Sequence, residues 1–179
     1  FGKALVSPPP GAFLQATAEG EQALLRSVTL AIGPARKIVD LFAGVGTFAL
    51  PLAERAEVHA VEGDAPMMAA LEKGANNAQG LKRVTVETRD LFRRPLEPDE
   101  FKGVEAVVID PPRAGAEAQM ATLARSGVPV IASVSCNPIS FARDAKTLIA
   151  GGYHLDWVQV VDQFRWSAHV ELVARFSRS

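Results

Sequence analysis

Asp40-Leu41-Phe42-Ala43-Gly44-Val45-Gly46-Thr47-Phe48-Ala49 decides how this chain folds. It closes an apolar, strand-like run over residues 37–42 and opens a helix-like stretch over 47–55. Gly44 and Gly46 permit the tight turn and close backbone approach that a ligand at a strand-to-helix junction needs. Outward from this turn the pattern alternates. Apolar runs at 58–62, 84–88, 104–110 and 128–134 are separated by helical patterns at 65–77, 116–126 and 138–150. Alternation of this kind predicts a parallel sheet with helices on both faces.

The two ends differ from the middle. Residues 1–16, with Ser7-Pro8-Pro9-Pro10-Gly11, read as a linker and extended segment. A helical pattern follows at 17–31 and stops at Gly33-Pro34. At the other end, 153–161 and 169–176 are strand-like with no helix between them. They predict an antiparallel pair added to the sheet edge, making seven strands. The expected fold class is therefore α/β: a Rossmann-like, mostly parallel sheet finished by an antiparallel pair. That is the outline of a class I S-adenosylmethionine-dependent methyltransferase, with residues 17–179 as the catalytic domain.

The bulk numbers fit one globular domain. The chain has 179 residues, 48% of them apolar and 22% charged, with a net charge of −1. Its single cysteine excludes an internal disulfide and any cysteine-only metal cluster, and makes a reducing cytoplasm the natural setting. No apolar run approaches the roughly 20 residues of a membrane span, so no membrane partner is expected, and no protein partner is indicated. The chain starts at Phe1 rather than Met, which marks it as a fragment of something longer.

The glycine turn admits two cofactors. Gly44-x-Gly46-x-x-Ala49 also satisfies a dinucleotide fingerprint. Glu62, ending the second strand, suits the ribose hydroxyls of either a nicotinamide dinucleotide or S-adenosylmethionine. Asp40 tips the balance, because a carboxylate beside the glycines suits a cationic amino-acid end and repels a pyrophosphate. Asp90 is placed either to contact an adenine or to cap residues 91–94.

Val107-Val108-Ile109-Asp110-Pro111-Pro112-Arg113 ends the fourth strand in a rigid turn that aims a carboxylate at the same rim. Cys136, in Val134-Ser135-Cys136-Asn137-Pro138, ends the fifth strand against a helix N-terminus. A helix N-terminus favours thiolate over thiol. A lone cysteine is otherwise a small buried hydrophobe.

With these motifs in place, the chain resembles the RNA uracil-C5 (5-methyluridine) methyltransferases. The resemblance runs from Phe13 to Phe176 through Phe13-Leu14-Gln15, the glycine loop, Val61-Glu62-Gly63, Asp110-Pro111-Pro112-Arg113-Ala114-Gly115, Ser135-Cys136-Asn137-Pro138 with Ala142-Arg143-Asp144, and Asp162-Gln163-Phe164 before His169-Val170-Glu171. It implies S-adenosylmethionine as cofactor and RNA as partner, with ribosomal RNA favoured over tRNA, and no metal in this chain. It also implies that Gln15, Asp40, Phe42, Gly44, Gly46, Thr47, Glu62, Asp90 and Asp110 surround cofactor and target base. Cys136 falls at the nucleophile and Glu171 at the general base; Asp110, Gln15 and Phe164 face the substrate. Departures include Thr17, Thr47 and Asp90 where Asn is frequent, and Arg165-Trp166-Ser167 in place of Pro-x-Thr. Family members usually carry an N-terminal RNA-binding barrel and a further region before this domain, neither of which is expected within these residues, and some hold an iron–sulfur cluster through N-terminal cysteines, which the single Cys136 does not supply.

The chemistry makes sense of the residue types. C5 of uracil is a poor nucleophile until a thiolate adds to C6, and the adduct must then lose its C5 proton to a base. The base would have to leave its stack to reach the cleft, with Trp166, Phe164 and Phe13 as candidates for stacking on it. Cytosine-C5 methylation is the nearest rival, but its cysteine belongs where Arg113 stands. Amine methylation leaves Cys136 idle, and an NAD-dependent oxidoreductase conflicts with Asp40 and the antiparallel pair. A domain that binds cofactor without activity is the remaining alternative.

Overall fold

The computed structural model describes residues 1–162 and 170–178. Their helices are α1 (Ala18–Ile32), α2 (Ala49–Leu52), α3 (Ala65–Asn77), α4 (Glu117–Ser126) and α5 (Pro138–Ala150). The strands are β1 (Lys37–Leu41), β2 (Glu57–Glu62), β3 (Val84–Thr88), β4 (Ala106–Ile109), β5 (Val130–Ser135), β6 (His154–Val161) and β7 (Glu171–Ser177). They form one seven-stranded sheet in the order β3-β2-β1-β4-β5-β7-β6. The first five strands are parallel; β7 runs antiparallel to both β5 and β6.

The antiparallel pair is there as the sequence predicts, with one feature it did not reveal. The later strand, β7, inserts against β5 and leaves β6 at the edge. The burial follows. β7 reads buried at Glu171, Leu172, Val173 and Ala174, whereas β6 is exposed at most positions.

The helix expected over 47–55 contracts to Ala49–Leu52. Pro51 has no amide to give the Thr47 carbonyl, so the turn cannot extend regularly. The remaining helices match closely, and three of them, α1, α3 and α5, begin at explicit caps. Thr17 accepts from the Gly20 amide, Asp64 from Met67 and Asn137 from Ile139.

Two apolar layers flank the sheet. On one face α1, α2 and α3 bury Leu24, Val28, Leu50 and Leu71 with Ile38, Val58 and Val108. On the other, α4 and α5 bury Met120, Leu123 and Leu148 with Leu41, Val107, Ile131 and Phe176. The N-terminal segment joins the first layer: Ala4 is buried, and Val6 packs close to Gly74 of α3. It then rises to bring Phe13 and Gln15 to the rim. No helix among the described residues is long and apolar enough to cross a membrane.

Parallel register collects the strand ends. Leu41 pairs with Val61 and Ile109, and Ile109 with Ser133, so β1, β2, β4 and β5 finish at one edge. Because β7 is antiparallel, its first residue, Glu171, arrives at that same edge.

Candidate active site

A cavity of about 540 Å³ opens at this edge. That size suits a nucleoside-sized ligand. Its walls include Phe13, Gln15, Phe42, Gly44, Thr47, Glu62, Asp90, Asp110, Cys136 and Glu171. Most residues singled out in the sequence therefore converge on one cleft. Two do not line its wall: Asp40 near the end of β1 and Gly46 within the loop are both buried. Phe164, Trp166 and His169 lie outside the described residues.

The glycine loop is held in the shape a ligand requires. Gly44 and Gly46 adopt φ of 56° and 97°, and Phe42 reaches 60° without being glycine. A left-handed phenylalanine is costly and persists only where its surroundings impose it. Here the Phe42 ring meets Phe92 with centroids 5.3 Å apart. Glu62 fixes the loop from the side. One carboxylate oxygen accepts from the Gly44 amide at 3.1 Å, and the other from Gly63 and Asp64 at 2.6 and 3.1 Å. The oxygen bonded only to Gly44 retains a lone pair for a ligand hydroxyl.

Asp90 does cap the following turn. Its Oδ1 accepts from the Phe92 and Arg93 amides at 3.0 and 3.2 Å. It also lines the cavity, so capping the turn does not take it away from the cleft. The turn it caps points Phe92 into the cleft. Sequence reasoning missed Phe92, along with Val45 and Phe48; the capping pattern at Asp90 was the one available signal for Phe92.

The cleft is acidic. Glu62, Asp90, Asp110 and Glu171 line it, and Arg113 is the one cationic side chain among the described lining residues. Burial, then the Glu171 charge, pushes Asp110 up to about 7. Burial also raises Glu171 above the usual carboxylate range. Asp40 is fully buried with both carboxylate oxygens lacking a hydrogen bond. Burial first, then the Asp110 and Glu62 charges, holds it well above the usual range.

The thiol departs from expectation. A helix N-terminus follows Cys136, yet its pKa is raised, by burial first and then by Glu171 and Asp110. Its own backbone amide and Arg113 pull it back only in part. Burial and the two carboxylates outweigh these, and the half-buried Cys136 is held as a thiol.

The family model for tRNA (Uracil-5-)-methyltransferase matches residues 7–178. The chain belongs to the tRNA (uracil-5-)-methyltransferase family. Among the family's curated proteins, an RNA methyltransferase of Rhizobium meliloti (strain 1021) is 56% identical over 99% of this chain and 43% of its own length. The 23S rRNA (uracil(1939)-C(5))-methyltransferase of Chromohalobacter salexigens is 38% identical over 94% of this chain and 35% of its own. In three dimensions the chain is similar to the Pyrococcus abyssi tRNA (uracil-54, C5)-methyltransferase in complex with S-adenosyl-L-homocysteine. The TM-score is 0.79 at 32% identity, covering 93% of this chain and 40% of that one. The fold is that of the class I methyltransferases. The chain spans less than half the length of these family members.

Proposed function

We propose that this chain is the catalytic part of an RNA uracil-C5 methyltransferase that works through a covalent Cys136–C6 adduct. The observation that carries the reading is the meeting of Cys136, Glu171 and Asp110 with the glycine loop in one cleft. The loop fits S-adenosylmethionine: the left-handed glycines, the Glu62 carboxylate and the apolar Phe42, Phe48 and Met67 surfaces match a nucleoside with a cationic tail. When bound, that cofactor supplies an electrophilic methyl group.

The protein's own residues do the rest. The Cys136 thiol first gives up its proton to solvent, the thiolate sulfur forms a bond to C6 of the target uracil, and electron density moves through C5 toward the O4 carbonyl. Asp110, half protonated near neutral pH, donates its O–H to that developing oxyanion. Gln15 and Phe13 hold the base edge and face. Once C5 carries the methyl group, Glu171 accepts the C5 proton, the C5–C6 double bond reforms and the thiolate leaves. The raised Glu171 pKa suits a base that must take a proton from carbon.

A ribosomal target is preferred over tRNA, on the likeness to the Chromohalobacter enzyme at 38% identity. The test uses the full-length protein with methyl-labelled S-adenosylmethionine and separate rRNA and tRNA pools. Label in 5-methyluridine from rRNA, lost in Cys136→Ala, is expected. Label in 5-methylcytidine, or retained turnover in Cys136→Ala, overturns the reading.

A further inference from the structure

Two loops build the catalytic wall, and the sheet does not hold them together. The β4–β5 ladder ends at Ile109–Ser133. Asp110 lies one residue beyond that pair on one side and Cys136 three residues beyond it on the other. Three hydrogen bonds continue where the ladder stops. The Asn137 side-chain amide donates to the Arg113 carbonyl at 2.9 Å. An Arg143 Nη donates to the Ala114 carbonyl at 2.9 Å. The Ala116 amide donates to Asp144 Oδ2 at 2.9 Å.

The anchor of this set is buried. Asp144 is 3% exposed, and its Oδ1 accepts from Arg143 Nε and Nη at 3.0 and 2.8 Å. Gly115, at φ 78°, lies so close that a Cβ there would stand 2.6 Å from Asp144 Oδ2 and against the Arg143 guanidinium. The loop after β4 therefore sits directly on α5. Neither Asn137, Arg143 nor Asp144 lines the cleft.

We propose that Asn137, Arg143 and Asp144 form a latch that fixes the Cys136 loop against the Asp110 loop, making them positioning residues for attack on the base. The inference rests on the adduct chemistry proposed above. A displacement of about 1 Å between reacting groups can cost on the order of 100-fold in rate, and a side-chain latch is what prevents it here. Asn137 has two separable tasks. Its Oδ1 caps α5, and its Nδ2 holds the Arg113 carbonyl. Asn137→Asp keeps the acceptor and removes the donor.

The experiment compares full-length wild type, Asn137→Asp and Asp144→Asn. The expected result for Asn137→Asp is a kcat lower by about 10- to 100-fold, with S-adenosylmethionine affinity and melting temperature close to wild type. The limiting high-pH rate of Cys136 alkylation by iodoacetamide, which needs no RNA and does not depend on the added carboxylate's effect on the thiol pKa, is expected to rise several-fold as the thiol loosens. Asp144→Asn is expected to act in the same direction, and the double variant to lose less than the sum of the two. Unchanged kcat and alkylation in Asn137→Asp overturn the latch, as does a loss confined to cofactor affinity or to melting temperature. Faster alkylation in a protein that forms no RNA adduct as wild type retains the latch and sinks the reaction instead.

Discussion

Glu171 stands beside Cys136 because two antiparallel strands put it there. Ser135 of β5 pairs with Leu172 of β7, and one further step in that register sets Cys136 against Glu171. Thirty-five positions of sequence separation vanish at the sheet edge. The consequence is electrostatic as well as spatial. The Glu171 charge raises both the Cys136 thiol and the Asp110 carboxyl.

Replacing Glu171 by Gln should therefore lower both titrations. Removing a negative neighbour favours the thiolate, so the pH midpoint of Cys136 alkylation by iodoacetamide moves down relative to wild type. A midpoint that stays or rises contradicts the arrangement.

Asp110 makes stability depend on pH in a calculable direction. Its folded value of about 7 lies above the ordinary 3.8. A raised carboxyl supports folding below its unfolded pKa and loses that support as pH climbs through the folded one. Wild-type stability should thus fall between about pH 4 and pH 8, by at most on the order of 4 kcal/mol. Asp110→Asn removes this slope, so its melting temperature relative to wild type rises with pH. Parallel curves for the two proteins would refute the charge state assigned to Asp110.

Gly46 is fixed by space and by conformation. At φ 97°, an added Cβ would lie 2.8 Å from Leu50 Cδ1 and 3.0 Å from Leu71 Cγ. Gly46→Ala should cost about 1–3 kcal/mol of stability and weaken cofactor binding in calorimetric titration. Wild-type affinity in this variant would show that the loop shape is not needed.

Phe92 offers a milder probe. It is 50% exposed and rests on Phe42 at the cleft. Phe92→Ala should weaken S-adenosylmethionine binding by about 1 kcal/mol, near fivefold, with little change in melting temperature. A large fall in melting temperature with unchanged affinity would make Phe92 a packing residue instead.

The sequence exposed the fold wherever a local rule acted alone. Asp64, Asn137 and Thr17 cap helices whose ends could be read in advance. The runs of β1, β4 and β5 were legible because these strands are largely buried and mostly apolar, whereas β3 is only half-buried and mixes Val84 and Val86 with Thr85, Glu87 and Thr88. What could not be read depends on partners distant in the chain. The insertion of β7 between β5 and β6 is a pairing choice that alternation does not encode. The left-handed Phe42 is imposed by Phe92 and the loop, with no local signal. The resting state of Cys136 came out opposite to its local cue, since the helix terminus is near in sequence and the opposing carboxylates are near only in space.

The covalent role of Cys136 is tested most directly by trapping the adduct. Full-length Glu171→Gln, incubated with S-adenosylmethionine and substrate RNA, should accumulate a protein–RNA species stable in denaturing gels. Peptide mass spectrometry should then locate a methylated uridine on Cys136. A variant that turns over normally, or a competent RNA that never becomes linked to Cys136, would contradict the account.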